Sequence, residues 1–198
     1  MSLTLWLIVA TCAVSIPCLG NRRLLEALLF HPPAIARGQL YRFVTHGFVH
    51  ADGLHLLFNM VTLFFFGRAI EGFFVSYIGG AGFIAFYLGA IVVAILPSYL
   101  AHRHDRRYKS LGASGAVSAA LFAFILAAPW ATLYVLVIPV PAIVFALVYT
   151  AWSIHAGRRG GDNVNHSAHL WGGAYGVVFA LIMAPSLGTR FLTQIVSP

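Results

Sequence analysis

Six long apolar runs constrain this chain more than any other feature of its sequence. A run of 18 or more residues with few charges is long enough to cross about 30 Å of hydrocarbon as a helix. Lipid cannot satisfy free backbone groups, so each run is expected to be helical. The sequence therefore predicts an all-α membrane protein with six transmembrane helices, near residues 3–20, 54–74, 75–100, 111–128, 131–154 and 167–184.

The composition agrees with a membrane environment. Hydrophobic residues make up 60% of the chain and charged residues 9%, against about 25% charged in a soluble domain. The net charge of +7 would suggest nucleic acid in a soluble protein, but the basic residues cluster in loops, where lipid headgroups attract them. No basic stripe or recognition motif accompanies the charge. We expect the lipid bilayer as a partner and no nucleic acid.

The first apolar run has two interpretations, a membrane span or a secretory signal peptide. It lacks a basic start, and Cys18-Leu19-Gly20 is not a small-x-small cleavage site. We therefore interpret this run as a span. Cys12 and Cys18 point to different faces of that helix, so no disulfide is expected between them.

Counting spans places three connections on one side of the membrane: residues 21–53, 102–109 and 155–165. The second, fourth and sixth runs then all begin on that side. Polar residues that are costly in lipid occur at those three ends, and intramembrane ionisable residues indicate function by default. They are His55, Asn59, Ser114, His166 and His169.

Ser114 stands where the fourth run opens, within Gly112-Ala113-Ser114-Gly115. A helix start exposes unpaired N–H groups and the positive end of the helix dipole. A serine there can attack a carbonyl while those N–H groups receive the developing oxyanion. The alternative interpretation is a patch of small residues that permits close helix contact.

His169 enters the sixth run at a depth similar to that of Ser114, close to a smooth stripe formed by Gly172, Gly176 and Ala180. If this stripe packs on the fourth span, imidazole and hydroxyl come within hydrogen-bond reach, as nucleophilic catalysis requires. His166, one turn earlier, remains an alternative base. The acidic residues all lie outside the fourth and sixth runs: Glu26, Asp52, Glu71, Asp105 and Asp162. We therefore expect a dyad of serine and histidine without a third, carboxylate member.

His55 and Asn59 are spaced i, i+4 and project from one face of the second span. Two donors at that depth could complete an oxyanion hole, or they could hydrogen-bond across helices for packing. His46 and His50 share the same spacing, but no cysteine or carboxylate completes a metal site at helical spacing. We expect no metal and no cofactor.

These residues together resemble the rhomboid intramembrane serine proteases. The matching elements, on the second, fourth and sixth runs in the family's order, are His-x-x-x-Asn at His55 and Asn59, Gly-x-Ser-x at Gly112 to Gly115, and Ala-His-x-x-Gly-x-x-x-Gly at Ala168, His169, Gly172 and Gly176. The resemblance covers nearly the whole chain. It implies a single rhomboid-like transmembrane domain over residues 1–198 and a six-helix bundle.

By this resemblance Ser114 is the nucleophile and His169 the general base. The oxyanion hole would come from His55, Asn59 and the Ser114 backbone N–H. Arg42, in the first loop, and Glu71, in the second span, fall where the family keeps structural residues. Two positions depart from the family pattern. Tyr41 stands where Trp is frequent before the arginine, and Ser118 stands where some members place a tyrosine that stacks on the catalytic histidine.

The implied activity is a serine endopeptidase that cleaves membrane-anchored proteins in or near their transmembrane segments. The alternative is a rhomboid-like protein that binds transmembrane segments without cutting them. The sequence lacks the motifs of other intramembrane proteases. There is no His-Glu-x-x-His run, as a metalloprotease needs, and the aspartates lie in or beside loops.

Orientation is the point on which two arguments conflict. Ten of the twelve Lys and Arg residues lie on the side of the candidate site, and only Arg68 and Arg190 lie opposite. The positive-inside rule turns that side toward the cytoplasm. The family resemblance turns it outward, and we follow the family. We expect a multi-pass protein of the bacterial inner (plasma) membrane.

Overall fold

Helices make up most of the structure, a computed structural model that describes residues 2–135, 137–161 and 163–197. Asp162, which the sequence places in a loop, lies outside these residues. The helices are α1 Leu3–Gly20, α2 Arg22–Leu28, α3 Pro32–Ala36, α4 Arg42–Thr45, α5 Gly53–Thr62, α6 Arg68–His102, α7 Ser114–Ala127, α8 Ala142–Arg159, α9 His166–Met183 and α10 Ser186–Val196. A 3-10 turn, His46–Phe48, follows α4, and a π-helical segment, Leu63–Gly67, joins α5 to α6.

The helical stretch Gly53–His102 has 50 residues, or about 75 Å at 1.5 Å per residue. A bilayer core of about 30 Å cannot hold that length in one pass. The stretch is broken at Gly79, whose φ of 69° and ψ of 175° are not helical. Glycine adopts positive φ without a steric penalty. The turn thus falls at residue 79, four residues later than the sequence boundary between runs two and three.

Length and composition identify two helices of the described residues that could cross a membrane, Leu3–Gly20 and Gly53–His102. α9 and α10 together would make a third candidate if they form one broken span. The angle between these two helices is 112°. α7 is apolar but has only 14 residues, or about 21 Å. These apolar helices indicate an integral membrane protein.

α1 is joined to α6 through its first turn. The Glu71 carboxylate accepts hydrogen bonds from the backbone N–H groups of Leu3 and Thr4, at 2.8 and 2.9 Å. A negative group at a helix start satisfies free N–H groups and complements the dipole. One face of α1, with Leu7, Thr11 and Cys18, is buried. Glu71 therefore holds the first helix to the rest of the protein.

Arg42 ties together the connection between α1 and α5. Its guanidinium donates to the carbonyl oxygens of Glu26 and Leu29 and to Oε1 of Gln39. Phe30, within this connection, is fully buried. Arginine can serve several acceptors at once because its donors form a rigid fork. The first loop is therefore a folded element.

A two-stranded hairpin separates α7 from α8, so the fold is mostly helical and the fifth apolar run is not a helix from residue 131. Strands β1 Thr132–Val135 and β2 Ile138–Pro141 are antiparallel, with Val135 opposite Ile138. Pro139 and Pro141 disfavour helix, whereas the β-branched residues around them favour strand. The fifth apolar run therefore becomes helical only at Ala142 and extends to Arg159.

α9 and α7 pack with their backbones in contact. A Cβ atom on Gly172 would overlap the carbonyl group of Gly115, and a Cβ atom on Gly176 would overlap that of Ala119. Small residues permit such an approach because nothing projects between the helices. The glycine stripe of the sixth run therefore faces the small residues of the fourth.

We expect Gly172→Ala to destabilise the protein by about 1–3 kcal/mol, because backbone atoms of α7 block the new methyl group. Thermal unfolding in detergent micelles measures this. Gly72→Ala is the matched control: its Cβ meets nothing within 4 Å on helix α6, so stability should be kept or slightly raised. Equal midpoints for the two variants would contradict the tight α7–α9 contact.

Candidate active site

Ser114 is the first residue of α7. The fourth apolar run was predicted to be helical from residue 111, but residues 111–113 lie outside the helix, and Gly112 has a φ of 113°. This left-handed conformation suits glycine. It turns the chain into the helix, so that Ser114 stands in the first turn, where N–H groups lack partners within the helix.

The segment before Ser114 is bound to the first loop by backbone hydrogen bonds. Phe30 and Ser110 exchange two such bonds, at 2.9 and 3.1 Å, and Gly112 N–H donates to the His46 carbonyl at 2.9 Å. Lys109 forms an ion pair with Glu26 at 2.6 Å. The Lys109 ammonium also holds the pKa of that carboxyl below its usual range. These contacts fix the start of α7.

His169 reaches the site from α9. Its helix touches α7 one residue after Ser114, through Gly172 and the Gly115 carbonyl. His169 is partly exposed and lines the same cavity as Ser114. His166 is buried and packs toward Gly157 of α8. Of the histidines of α9, His169 therefore shares the cavity with Ser114, whereas His166 is not among its lining residues.

Ser114 and His169 line a cavity of about 900 Å³. Polar residues of its wall come from the helical stretch Gly53–His102, the loop before α7 and the start of α9. Irregular backbone at membrane depth is tolerated where it lines a wet cavity. The cavity is therefore a place where water and a peptide bond could meet these two residues, and its wall includes His55, Asn59, Lys109 and Asn165.

His55 and Asn59 lie on the wall of this cavity. Ala51 N–H is 3.5 Å from Nδ1 of His55, and a ring nitrogen that accepts a hydrogen bond carries no proton. Nε2 is then the donor. The absent side chain of Gly112 leaves room for it, because a Cβ atom there would lie 2.9 Å from Nε2. Asn59 donates to the His55 carbonyl at 2.9 Å, and its amide nitrogen carries a second hydrogen.

Asn165 is a site-forming residue that the sequence analysis missed. Its amide nitrogen lies within hydrogen-bond distance of the hydroxyl oxygens of Ser98, Tyr108 and Ser110, and its side-chain oxygen caps α9 by accepting from Ala168 N–H at 3.0 Å. Asparagine is a favoured helix cap. Asn165 thus fixes the start of α9, four residues before His169, to α6 and to the loop before α7.

His50 is a second residue that the sequence analysis did not assign to the site. Its Nε2 accepts from Ala113 N–H at 3.3 Å, so its Nδ1 carries the proton and donates to Ser15 Oγ at 3.1 Å. His50 is fully buried. It therefore joins α1 to the residue that precedes Ser114, and both of its nitrogens are occupied.

The buried histidines of the first loop predict a pH-dependent stability. Burial lowers the pKa of His50 to about 3 and that of His46 to about 4, whereas unfolded histidines titrate near 6.5. Between these values the unfolded chain binds more protons, so the free energy of unfolding falls as the pH falls. We expect a loss of about 1 kcal/mol or more per pH unit between pH 6 and 5.

Thermal unfolding in detergent at pH 7, 6 and 5 measures this loss. His46→Leu should flatten the slope, because one of the two neutral histidines is gone. His155→Ala removes an exposed histidine and should leave the slope unchanged. A wild-type slope equal to that of His46→Leu would contradict the assignment.

Within the described residues, no group of three or more His, Cys, Asp and Glu side chains is arranged to hold a metal ion. His46 and His50, the pair considered from the sequence, are both buried in the first loop. The cavity is lined by hydroxyl, imidazole and amide groups, together with the charged side chains of Asp52, Asp105, Arg107 and Lys109.

The fold and the site thus define an integral membrane protein with a serine and a histidine lining one cavity. Residues 37–186 match the family described as the Rhomboid domain. The chain belongs to the rhomboid family.

The chain is similar to proteins of Arabidopsis thaliana and Bacillus subtilis. The chain is 36% identical over 153 residues to "RHOMBOID-like protein 12, mitochondrial" of Arabidopsis thaliana, covering 71% of this chain and 46% of that protein. It is 34% identical over 83 residues to "Putative rhomboid protease YdcA" of Bacillus subtilis, with coverage of 42% and 39%. It is 28% identical over 167 residues to "Rhomboid protease GluP" of the same bacterium, with coverage of 81% and 30%. The chain spans about half or less of these relatives' lengths.

Proposed function

We propose that this chain is an intramembrane serine endopeptidase that cleaves membrane-anchored proteins in or near their transmembrane segments. The observation that carries the proposal is the shared cavity. Ser114, at the first position of α7, and His169, on the tightly packed α9, line it together with His55 and Asn59. Membership of a family with protease-named relatives supports the same activity.

The proposed reaction proceeds through an acyl-enzyme. Ser114 Oγ attacks the carbonyl carbon of the scissile peptide bond, and His169 takes the hydroxyl proton. The carbon–nitrogen bond then breaks, and His169 returns that proton to the leaving amine. Water next attacks the ester and gives a proton to His169. Collapse releases the acid product and returns the proton to Ser114.

The oxyanion of each tetrahedral intermediate needs donors that are already oriented. We assign this role to the Ser114 backbone N–H, to Nε2 of His55 and to the Asn59 amide. The N-terminus of α7 adds the positive end of the helix dipole. Fixed donors of this kind stabilise charge that develops in the transition state. The short α7 and the loop before it support a site below the membrane surface that water can enter.

The finer architecture is part of the proposal. Six segments cross the membrane in one domain over residues 1–198: α1, the two arms of residues 53–78 and 80–102, α7, α8 and α9. Transmembrane proteins with small or helix-breaking residues are the proposed substrates. Arg42, Glu71, Gly112, Gly115, Gly172 and Gly176 act structurally, as their contacts and close approaches support.

The proposed orientation puts the cavity on the outer side of the membrane, although ten of the twelve Lys and Arg residues lie on that side. A reporter fused after the C-terminal residue tests it. Six spans put both termini on the side opposite the cavity, so a reporter active in the cytoplasm is expected. The proposed bacterial inner membrane draws no support from the organellar relatives, which are described as mitochondrial and chloroplastic.

Fluorophosphonate labelling tests the proposed function directly. The purified protein in detergent should become covalently labelled on Ser114, and it should cleave a single-span test protein at a defined bond. Mass spectrometry identifies both sites. A folded protein that binds the test protein without labelling or cleavage would instead support a non-catalytic binder of transmembrane segments.

A further inference from the structure

We propose that Tyr149, on α8, is a positioning residue that orients the His169 imidazole, an inference that rests on the function proposed above. The rings of Tyr149 and His169 lie nearly parallel, with an interplanar angle of 17° and centroids 6.2 Å apart. Packing against a ring face restricts rotation of an imidazole without using either of its nitrogens.

Tyr149 is itself held firmly on its own helix. Phe145, one turn earlier on the same face of α8, stacks on it at 5.5 Å and 18°. Phe122 of α7 closes a further side, with centroids 6.0 Å apart. A continuous stack of Phe145, Tyr149 and His169 therefore runs from α8 to α9.

The α7 side of this stack is formed by Ser118. Its buried hydroxyl lies 3.5 Å from the Tyr149 hydroxyl, one helical turn after Ser114. A serine at this position leaves room beside α7, and the ring that fills the space comes from another helix. Tyr149 thus contacts α7, which carries the nucleophile, and α9, which carries the base.

This arrangement makes the geometry of the dyad depend on α8. Leu147, Val148 and Trp152 of α8 are exposed, whereas Tyr149 contacts Phe122 of α7 and His169 of α9. If α8 shifts, His169 loses the ring that restricts it. Catalysis should then slow, while the residues that line the substrate cavity remain in place.

Kinetics on three variants of the full chain test the proposal. Tyr149→Leu removes the ring, and we expect kcat for a single-span test protein to fall about 10- to 100-fold with KM nearly unchanged. The rate of fluorophosphonate labelling should fall in parallel. Tyr149→Phe keeps the ring and should retain kcat within about 3-fold, because stacking does not use the hydroxyl. Tyr149→Met preserves apolar volume and should behave as Tyr149→Leu does.

Trp152→Leu is the matched control, an aromatic-to-leucine change at an exposed position of the same helix, and it should leave kcat unchanged. Thermal midpoints show whether each variant is folded. Normal kcat in folded Tyr149→Leu or Tyr149→Met overturns the proposal, as does a loss of more than about 10-fold in Tyr149→Phe. An inactive, unlabelled wild type would instead contradict the proposed function, so the two failures are distinct.

Discussion

Ser114→Ala is expected to abolish cleavage, with kcat falling by about 10⁴-fold or more. The hydroxyl is the only group at the start of α7 that can form the acyl-enzyme, and the oxyanion donors cannot replace it. Covalent labelling by a fluorophosphonate should disappear at the same time. Cleavage of a single-span test protein in detergent and labelling of the purified variant measure the two losses.

The matched control for this variant is Ser76→Ala. Ser76 is exposed on α6, and its hydroxyl bonds to the Phe73 carbonyl of its own helix. This variant should cleave and label as the wild type does. Residual cleavage by Ser114→Ala at the same bond would exclude a serine mechanism at this site.

His169→Ala should reduce kcat by a similar factor, because the hydroxyl of Ser114 is weakly nucleophilic without a base. Labelling should slow strongly, since phosphonylation also needs the serine proton to leave. The pH dependence of any residual rate should lose the ionisation that belongs to the base. Single-turnover cleavage at several pH values measures this.

Two histidine variants serve as comparisons. His155→Ala, on the exposed side of α8, should keep wild-type kcat. His166→Ala should lower stability through lost packing beside Gly157 while keeping most of the turnover of the folded fraction. If His166→Ala were inactive and His169→Ala active, the base would be His166, the alternative that the sequence left open.

The sequence predicted the helices whose boundaries are set locally. The first run, residues 3–20, coincides with α1, where Ser2 caps the N-terminus. The sixth run, residues 167–184, differs from α9 by one residue at each end. Asn165 caps the start of this helix. Apolar length and capping residues are properties of neighbouring residues, so both could be recognised without a structure.

Other features of the fold could not be predicted from the sequence, because apolar composition does not distinguish between backbone conformations. The fifth run looked like one span from residue 131, yet its first part pairs as a hairpin. The break at Gly79 and the non-helical Gly112 also lie within apolar sequence. Periodicity cannot separate a short buried strand, a turn and a helix in such runs.

The sequence alone determined which residues carry the candidate chemistry. The spacing of His55 and Asn59, the setting of Ser114 and the stripe after His169 are read along single helices. Only the tertiary structure decided what surrounds them: the ring of Tyr149, the hydroxyls that bond to Asn165 and the buried His50 come from other parts of the chain. The physical reason is that a helix fixes the relative positions of residues a turn apart, whereas contacts between helices depend on packing that no local pattern encodes.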